Sequence, residues 1–360
     1  MATATKKKSK GKSTQQIHDE VTNRIIASLE EGTVPWQRPW KVIGGLHSNW
    51  KSQKHYRGIN QFLLDLTAQV AGYRSPYWLT YKQAGEESLR IFLKECREAG
   101  EKDVPTFADA SAKNGRKPAT ELAATWQSRH REEGWKGVKE GEKTTFVTFT
   151  KRIPLKDKVT KEPVLDEKGK QKFVYLLRYY NVVNAEQTGL DLPNPKEQDL
   201  RDHTPIEAAQ RIIDGCPNRP EISHHGDRAY YMPSADSITL PTPEQFESDE
   251  AYYGTAFHEL VHATGHESRT GRVKDWTLFG SDPYAKEELV AEIGSAILAG
   301  HSGIENESLH ENTAAYIQNW IKRFKDDHTL LIGAGSKAQG AVDYILDTKF
   351  DNNNNKDKEQ

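Results

Sequence analysis

His258-Glu259-Leu260-Val261-His262 lies within residues 249–265, where apolar side chains recur at a helical period and the run ends at Gly265. Histidines at i and i+4 share one helical face, so both imidazoles can reach the same ion. Glu259, one residue after the first histidine, is placed to take a proton from water polarised by that ion. Catalytic zinc commonly has three protein ligands, so a third must come from elsewhere. Downstream, Glu287-Glu288-Leu289-Val290-Ala291-Glu292 falls in a predicted helix over 283–299, announced by Asp282-Pro283. Glu288 and Glu292 are one turn apart, so one carboxylate can bind metal while the other orients a ligand imidazole. A third histidine at the metzincin spacing would fall at position 268, which is Ser268. Two packed histidines without an ion are the plain structural alternative.

The Glu-x-x-x-acid arrangement resembles the third-ligand helix of the gluzincin metallopeptidases. That resemblance implies His258, His262 and Glu288 as ligands, Glu292 behind them and Glu259 as the catalytic base. The implied ion is Zn2+, with another divalent metal such as Mn2+ as the alternative. Peptide hydrolysis also needs an edge strand that holds its substrate extended. Short strands are predicted at Glu221–His225, Ala229–Met232 and Ser237–Leu240, upstream of the histidines. Tyr230, Tyr231, Tyr284 and His301 are the candidates for stabilising an oxyanion. Thr204-Pro205-Ile206-Glu207 reads as a capped helix start and opens this unit. Further helices are predicted at 308–326 and 337–348, the latter from Ser336-x-x-Gln339.

A chain of 360 residues predicts two domains. Its net charge of −2 conceals a division: residues 1–186 carry +12 and residues 187–360 carry −14. A basic half attracts polyanions, whereas an acidic half repels them. No stretch approaches the ~20 apolar residues of a membrane span, so no membrane partner is expected. Cys96 and Cys216 form no paired spacing, which fits a reduced, cytoplasmic chain.

The basic half begins with an arm, residues 1–14, holding five lysines and no acid, and disorder is expected there. Ile17, Val21, Ile25 and Leu29 then mark an amphipathic helix stopped at Gly32. From Trp36 to Lys82 seven basic residues face one acid, Asp65, and nine of the chain's 33 aromatics are interleaved with them. Single strands are bound by aromatic platforms that stack bases within a cationic groove. The candidate contacts are therefore Trp36, Arg38, Trp40 and Lys41, then Tyr56, Arg57 and Asn60, and finally Arg74 and Trp78. The alternative is a tryptophan-rich core ringed by solvated cations, and Phe62, Leu63, Leu64 and Leu66 already read as one buried helix. Glu86–Gly134 is polar and helical in flavour, an insertion of its own. Residues 144–150 and 173–183 predict a long hairpin. Residues 187–203 are expected as a linker, 204–350 as the metal unit and 351–360 as a disordered tail.

Taken together the motifs resemble the ArdC-type antirestriction proteins of plasmids and phages. The N-terminal matches are Val21-Thr22-x-Arg24-Ile25-Ile26, Pro35-Trp36-x-x-Pro39-Trp40-Lys41, Tyr56-Arg57-Gly58-Ile59-Asn60, Ser75-Pro76-x-Trp78-Leu79-Thr80 and Lys139-x-Gly141-Glu142-Lys143. The C-terminal matches run through Gly226-Asp227-Arg228-Ala229-Tyr230-Tyr231, His258 to His266, Glu287 to Glu292 and Ala314-Ala315-Tyr316-Ile317-x-x-Trp320. The insertion at about 86–134 departs from that pattern. The resemblance implies an α+β chain of two domains. The first, 15–186, would bind single-stranded DNA; the second would be a zincin-like metallopeptidase fold with a small antiparallel sheet and active-site helices. It implies an antirestriction protein that shields entering DNA. Two other functions fit the same residues: a zinc protease cutting a host protein, with DNA binding for targeting, or an interaction protein whose metal only staples two helices.

Overall fold

A computed structural model of the chain describes residues 11–37, 45–114, 117–167, 169–192, 204–274, 282–304 and 314–348. Most of the basic arm, the linker from residue 193, the C-terminal tail and the candidates Arg38, Trp40 and Lys41 lie outside the described residues.

The first half runs α1 (Thr14–Glu30), β1 (Ser48–Asn49), α2 (Ile59–Ala71), β2 (Tyr77–Leu79), α3 (Tyr81–Glu98), α4 (Phe107–Ser111), β3 (Lys113–Asn114), β4 (Lys117–Pro118), α5 (Glu121–Glu133), β5 (Thr145–Pro154) and β6 (Phe173–Asn184). The expected periodicity of α1 is realised, with Ile17, Val21, Ile25 and Leu29 all buried. Its start is set by a box in which Ser13 and Gln16 exchange side-chain and backbone hydrogen bonds. The four-stranded sheet has order β1-β2-β6-β5. The β5–β6 hairpin pairs antiparallel from Thr145↔Val182 out to Pro154↔Phe173. Residues 86–134 are largely helical, as expected, and a small buried cluster there takes in Leu89, Phe92, Leu93, Cys96, Ala110 and Trp126.

The second half runs α6 (Pro205–Gly215), β7 (Glu221–His224), β8 (Tyr230–Met232), β9 (Ser237–Leu240), α7 (Asp249–Ala263), α8 (Asp282–Ser302), α9 (Ala314–Asp326) and α10 (Leu330–Ile345). The Thr204–Glu207 box closes with both hydrogen bonds, at 3.0 and 3.3 Å. Its sheet has order β7-β9-β8, with β7 parallel and β8 antiparallel to β9. One boundary moved. α10 begins at Leu330 rather than near 337, because Leu330, Leu331 and Ala334 extend its buried stripe backwards past the Ser336 signal.

The apolar core does not stop where the charge changes sign. One buried cluster takes Val21, Ile25, Leu29, Trp36, Ile59 and Phe62 from the first half and most of α7 to α10 from the second. The two halves approach closely at a pair of glycines, Gly58 and Gly335. A Cβ on Gly58, whose φ is +54°, would lie 2.8 Å from the Gly335 carbonyl oxygen, and one on Gly335 would lie 2.9 Å from the Ile59 nitrogen. The Gly58 amide donates to Gln339 Oε1 at 2.8 Å, which pins the start of α2 against α10.

Candidate metal centre

α7 is buried on nearly all sides, with Phe257, Leu260, Val261 and Ala263 in the core beside His258, Glu259 and His262. α8 crosses it closely because Gly294 faces Val261: a Cβ there would come within 2.8 Å of Val261 Cγ2. That approach carries Glu288 to the histidines. The Nε2 atoms of His258 and His262 are 3.1 Å apart, and Glu288 oxygens lie 3.5 and 3.4 Å from them. A tetrahedral ion with bonds of about 2.0–2.2 Å sets its ligand atoms about 3.3–3.5 Å apart. The three donors stand near such edges, at 3.1–3.5 Å, and two imidazoles plus one carboxylate are a zincin-type set. These residues fit a divalent ion.

Electrostatics follow from the geometry. Burial works against charge on His262, but the Glu287 and Glu288 carboxylates outweigh it and raise its pKa. Burial likewise opposes charge on Glu288, yet His258 and His262 hold its carboxyl far below the usual range. Three groups that each dislike burial are thus kept polar by one another, a pattern typical of functional sites.

Two carboxylates besides Glu288 stand beside the histidine pair. His262 Nδ1 faces Glu287 Oε1 at 3.4 Å; Glu292 is buried, favours the charged form of His258 and accepts a hydrogen bond from the Tyr316 hydroxyl at 3.4 Å. Arg272 holds Glu287 in turn and donates to the Val261 carbonyl at 2.7 Å and to Thr264 Oγ1. It therefore straps the end of α7 to α8. Nothing in the local sequence singles out Glu287 over its neighbour; the approach of α8 to α7 at Gly294 and Val261 does. Glu287→Gln is expected to lower divalent-metal affinity by roughly 10–100-fold, as for other partners of ligand imidazoles. Competition against a fluorescent chelator measures it, and unchanged affinity would remove Glu287 from this role.

Among the oxyanion candidates, Tyr284 lies at the site: burial and its hydrogen bond to Glu288 push the phenol up. Tyr231 is committed to Asp236, donating at 2.7 Å beside the Arg269–Asp236 ion pair. Tyr230 is on β8. His301 is thirteen residues beyond Glu288 on the same helix, about 20 Å along its axis, and packs edge-on against His55 instead.

The structure redraws the other candidate set. Trp36 is 1% exposed and meets Trp320 and Phe324 edge-on, with Nε1 3.5 Å from the Tyr316 hydroxyl. Trp78 is fully buried and donates to His47 Nδ1 at 3.0 Å. Tyr56 is buried and accepts from Asn49 at 3.4 Å. Asn60 joins α2 to β5, donating to the Thr148 carbonyl at 2.7 Å and accepting its amide at 2.8 Å. These four are core, not base platforms. Aromatic side chains interleaved with cations describe a half-buried surface as well as a nucleic-acid groove, and here hydrophobic burial claimed the rings. Arg57 pairs with Asp343 of α10. Arg74 is exposed, while its backbone amide and that of Ser75 both donate to Glu186.

The fold and site define a zincin-like metal centre joined through one core to a separate N-terminal sheet unit. Residues 207–337 match a family model described as a zincin-like metallopeptidase, and residues 15–182 match the N-terminal domain of anti-restriction factor ArdC. The chain belongs to the ArdC family of antirestriction proteins. It is 31% identical to the metal-free crystal structure of ArdC from plasmid R388, with a TM-score of 0.61 over 92% of this chain and 97% of that one. The Mn(II)-bound form of that protein gives 30% and 0.59 over the same shares. A DNA primase TraC of Escherichia coli is 35% identical over 339 residues, which is 92% of this chain and 27% of the primase. The chain thus spans about a quarter of that relative's length. Among the described residues no helix is long and apolar enough to cross a membrane.

Proposed function

We propose that this protein is an antirestriction factor that binds single-stranded DNA through residues 15–186, with residues 204–350 forming a divalent-metal peptidase unit. The observation that carries the reading is the complete three-donor site of His258, His262 and Glu288, built into one core with an ArdC-type N-terminal unit. The +12 charge of the first half supports a polyanion partner. The name DNA primase carried by the E. coli relative agrees with a nucleic-acid role. The test is protection of unmodified plasmid DNA entering a restricting strain, together with anisotropy on a labelled single strand. Protection with single-strand binding is expected; a protein that binds no single strands ends the reading.

Cleavage of a host protein is the second reading, and β8 favours it. This strand runs antiparallel to β9 at the sheet margin beside α7, with Tyr230 and Met232 exposed, so an extended peptide could add to its free edge. A divalent ion in the site supplies Lewis-acid polarisation of a carbonyl and acidifies water. Glu259, buried within the field of both histidines, would hold the proton, and Tyr284 would steady charge beside Glu288. Glu259→Gln is expected to keep metal content and single-strand affinity. If protection falls by 10²-fold or more, the peptidase contributes; if protection is unchanged, the metal unit acts without hydrolysis.

A further inference from the structure

The β5–β6 hairpin begins in the core, where Phe146, Val147, Val182 and Val183 are buried, and then leaves the body. Residues 150–163 are exposed without a break, as are Val174 and Tyr175 on the returning strand. The projecting part is nevertheless ordered by backbone hydrogen bonds. Leu155 donates to the Lys172 carbonyl at 2.8 Å, Lys172 to Val164 at 2.7 Å and Val164 to Leu155 at 2.9 Å. A two-stranded ribbon with no covering layer is marginal in water. This one also exposes Val159 (88%), Tyr175 (65%) and Val174 (47%), an arrangement that marks a contact surface.

Its chemistry says which partner. Residues 150–178 hold nine Lys or Arg against four acids. Opposed residues of an antiparallel pair share a face, so Thr148↔Tyr179, Arg152↔Tyr175 and Pro154↔Phe173 line one side. The Arg152 guanidinium lies 3.4 Å over the Phe173 ring. Nearer the body, Lys12 stands 4.7 Å over Phe146 and 5.0 Å over Tyr179. From root to tip this face sets Lys12 and Arg152 among the rings of Phe146, Tyr179, Tyr175 and Phe173. Rings of this kind stack unpaired bases, whereas a closed duplex offers mainly edges and phosphates.

We infer that the β5–β6 arm is a binding site for single-stranded nucleic acid, with Tyr175 stacking on a base and the arm's lysines and Arg152 following the phosphates. The inference rests on the reading that the protein binds single strands and names where it does so.

The test uses the full chain, a labelled single strand and the duplex of the same sequence, read by anisotropy across a salt series. Tyr175→Ala should weaken single-strand binding by roughly tenfold at every salt concentration. Replacing Lys156, Lys158, Lys170 and Lys172 together with Gln should lower the slope of log affinity against log salt by about 3, at ~0.7 per lost contact. Far-UV circular dichroism and metal content report that the variants fold. Wild-type affinity and slope in both variants, with tight binding by the parent protein, would overturn the arm while leaving the parent reading intact. No single-strand binding by the parent protein would end both. Loss of duplex binding with single-strand binding retained would overturn the assignment to single strands.

Discussion

Glu288→Ala is expected to lower divalent-metal affinity by roughly 10²–10³-fold, since a four-coordinate site worth about 10–16 kcal/mol draws about 2.5–4 from each ligand. The carboxylate is the only anionic member of the three-donor set. It also spans both imidazoles, at 3.5 and 3.4 Å, so its removal takes away the countercharge of a buried histidine pair. Breaking a buried pair in this way costs about 3–5 kcal/mol. The variant should therefore lose stability in chelator and should also fail to regain it with metal. Saturating metal raises parent stability by about 2.7 kcal/mol at a hundred times its dissociation constant. Isothermal titration gives the affinity and urea unfolding with and without metal gives the stability. A variant that binds one ion with parental affinity would remove Glu288 from the ligand set.

Trp36→Ala is expected to destabilise the chain by about 3–5 kcal/mol, the usual cost of emptying a core site of that size. The ring is wedged against Trp320 and Phe324 of α9, and its Nε1 reaches the Tyr316 hydroxyl, which in turn donates to Glu292 behind the metal site. The loss should appear in both halves at once, because the residue belongs to the cluster they share. Under conditions where the variant is folded, its single-strand affinity should match the parent's. A small stability loss together with a tenfold loss of binding would instead return Trp36 to the role of a base platform.

The helix of His258 and His262 was legible because ligand spacing is a local property: i and i+4 share a face wherever the chain is helical. Glu288 was singled out by the resemblance of Glu288-x-x-x-Glu292 to the gluzincin third-ligand helix, since spacing alone leaves either carboxylate as the ligand. Glu287 was not, since adjacent glutamates are equivalent until Gly294 lets α8 approach Val261 and fixes which one meets His262 Nδ1. The start of α10 was misjudged because a polar capping signal is worth little against three buried apolar residues upstream of it.

From its residue order alone this protein had a metal-binding helix pair, a hairpin, a helical insertion and a charge division near residue 186. All four depend on near neighbours or on composition. Tertiary structure decided which aromatics turn inward, which carboxylate faces His262 Nδ1, and that two oppositely charged halves share one core. Burial is a competition among all apolar surfaces of the chain. Its outcome at Trp36 was set by Trp320 and Phe324, nearly three hundred residues away, where no local pattern reaches.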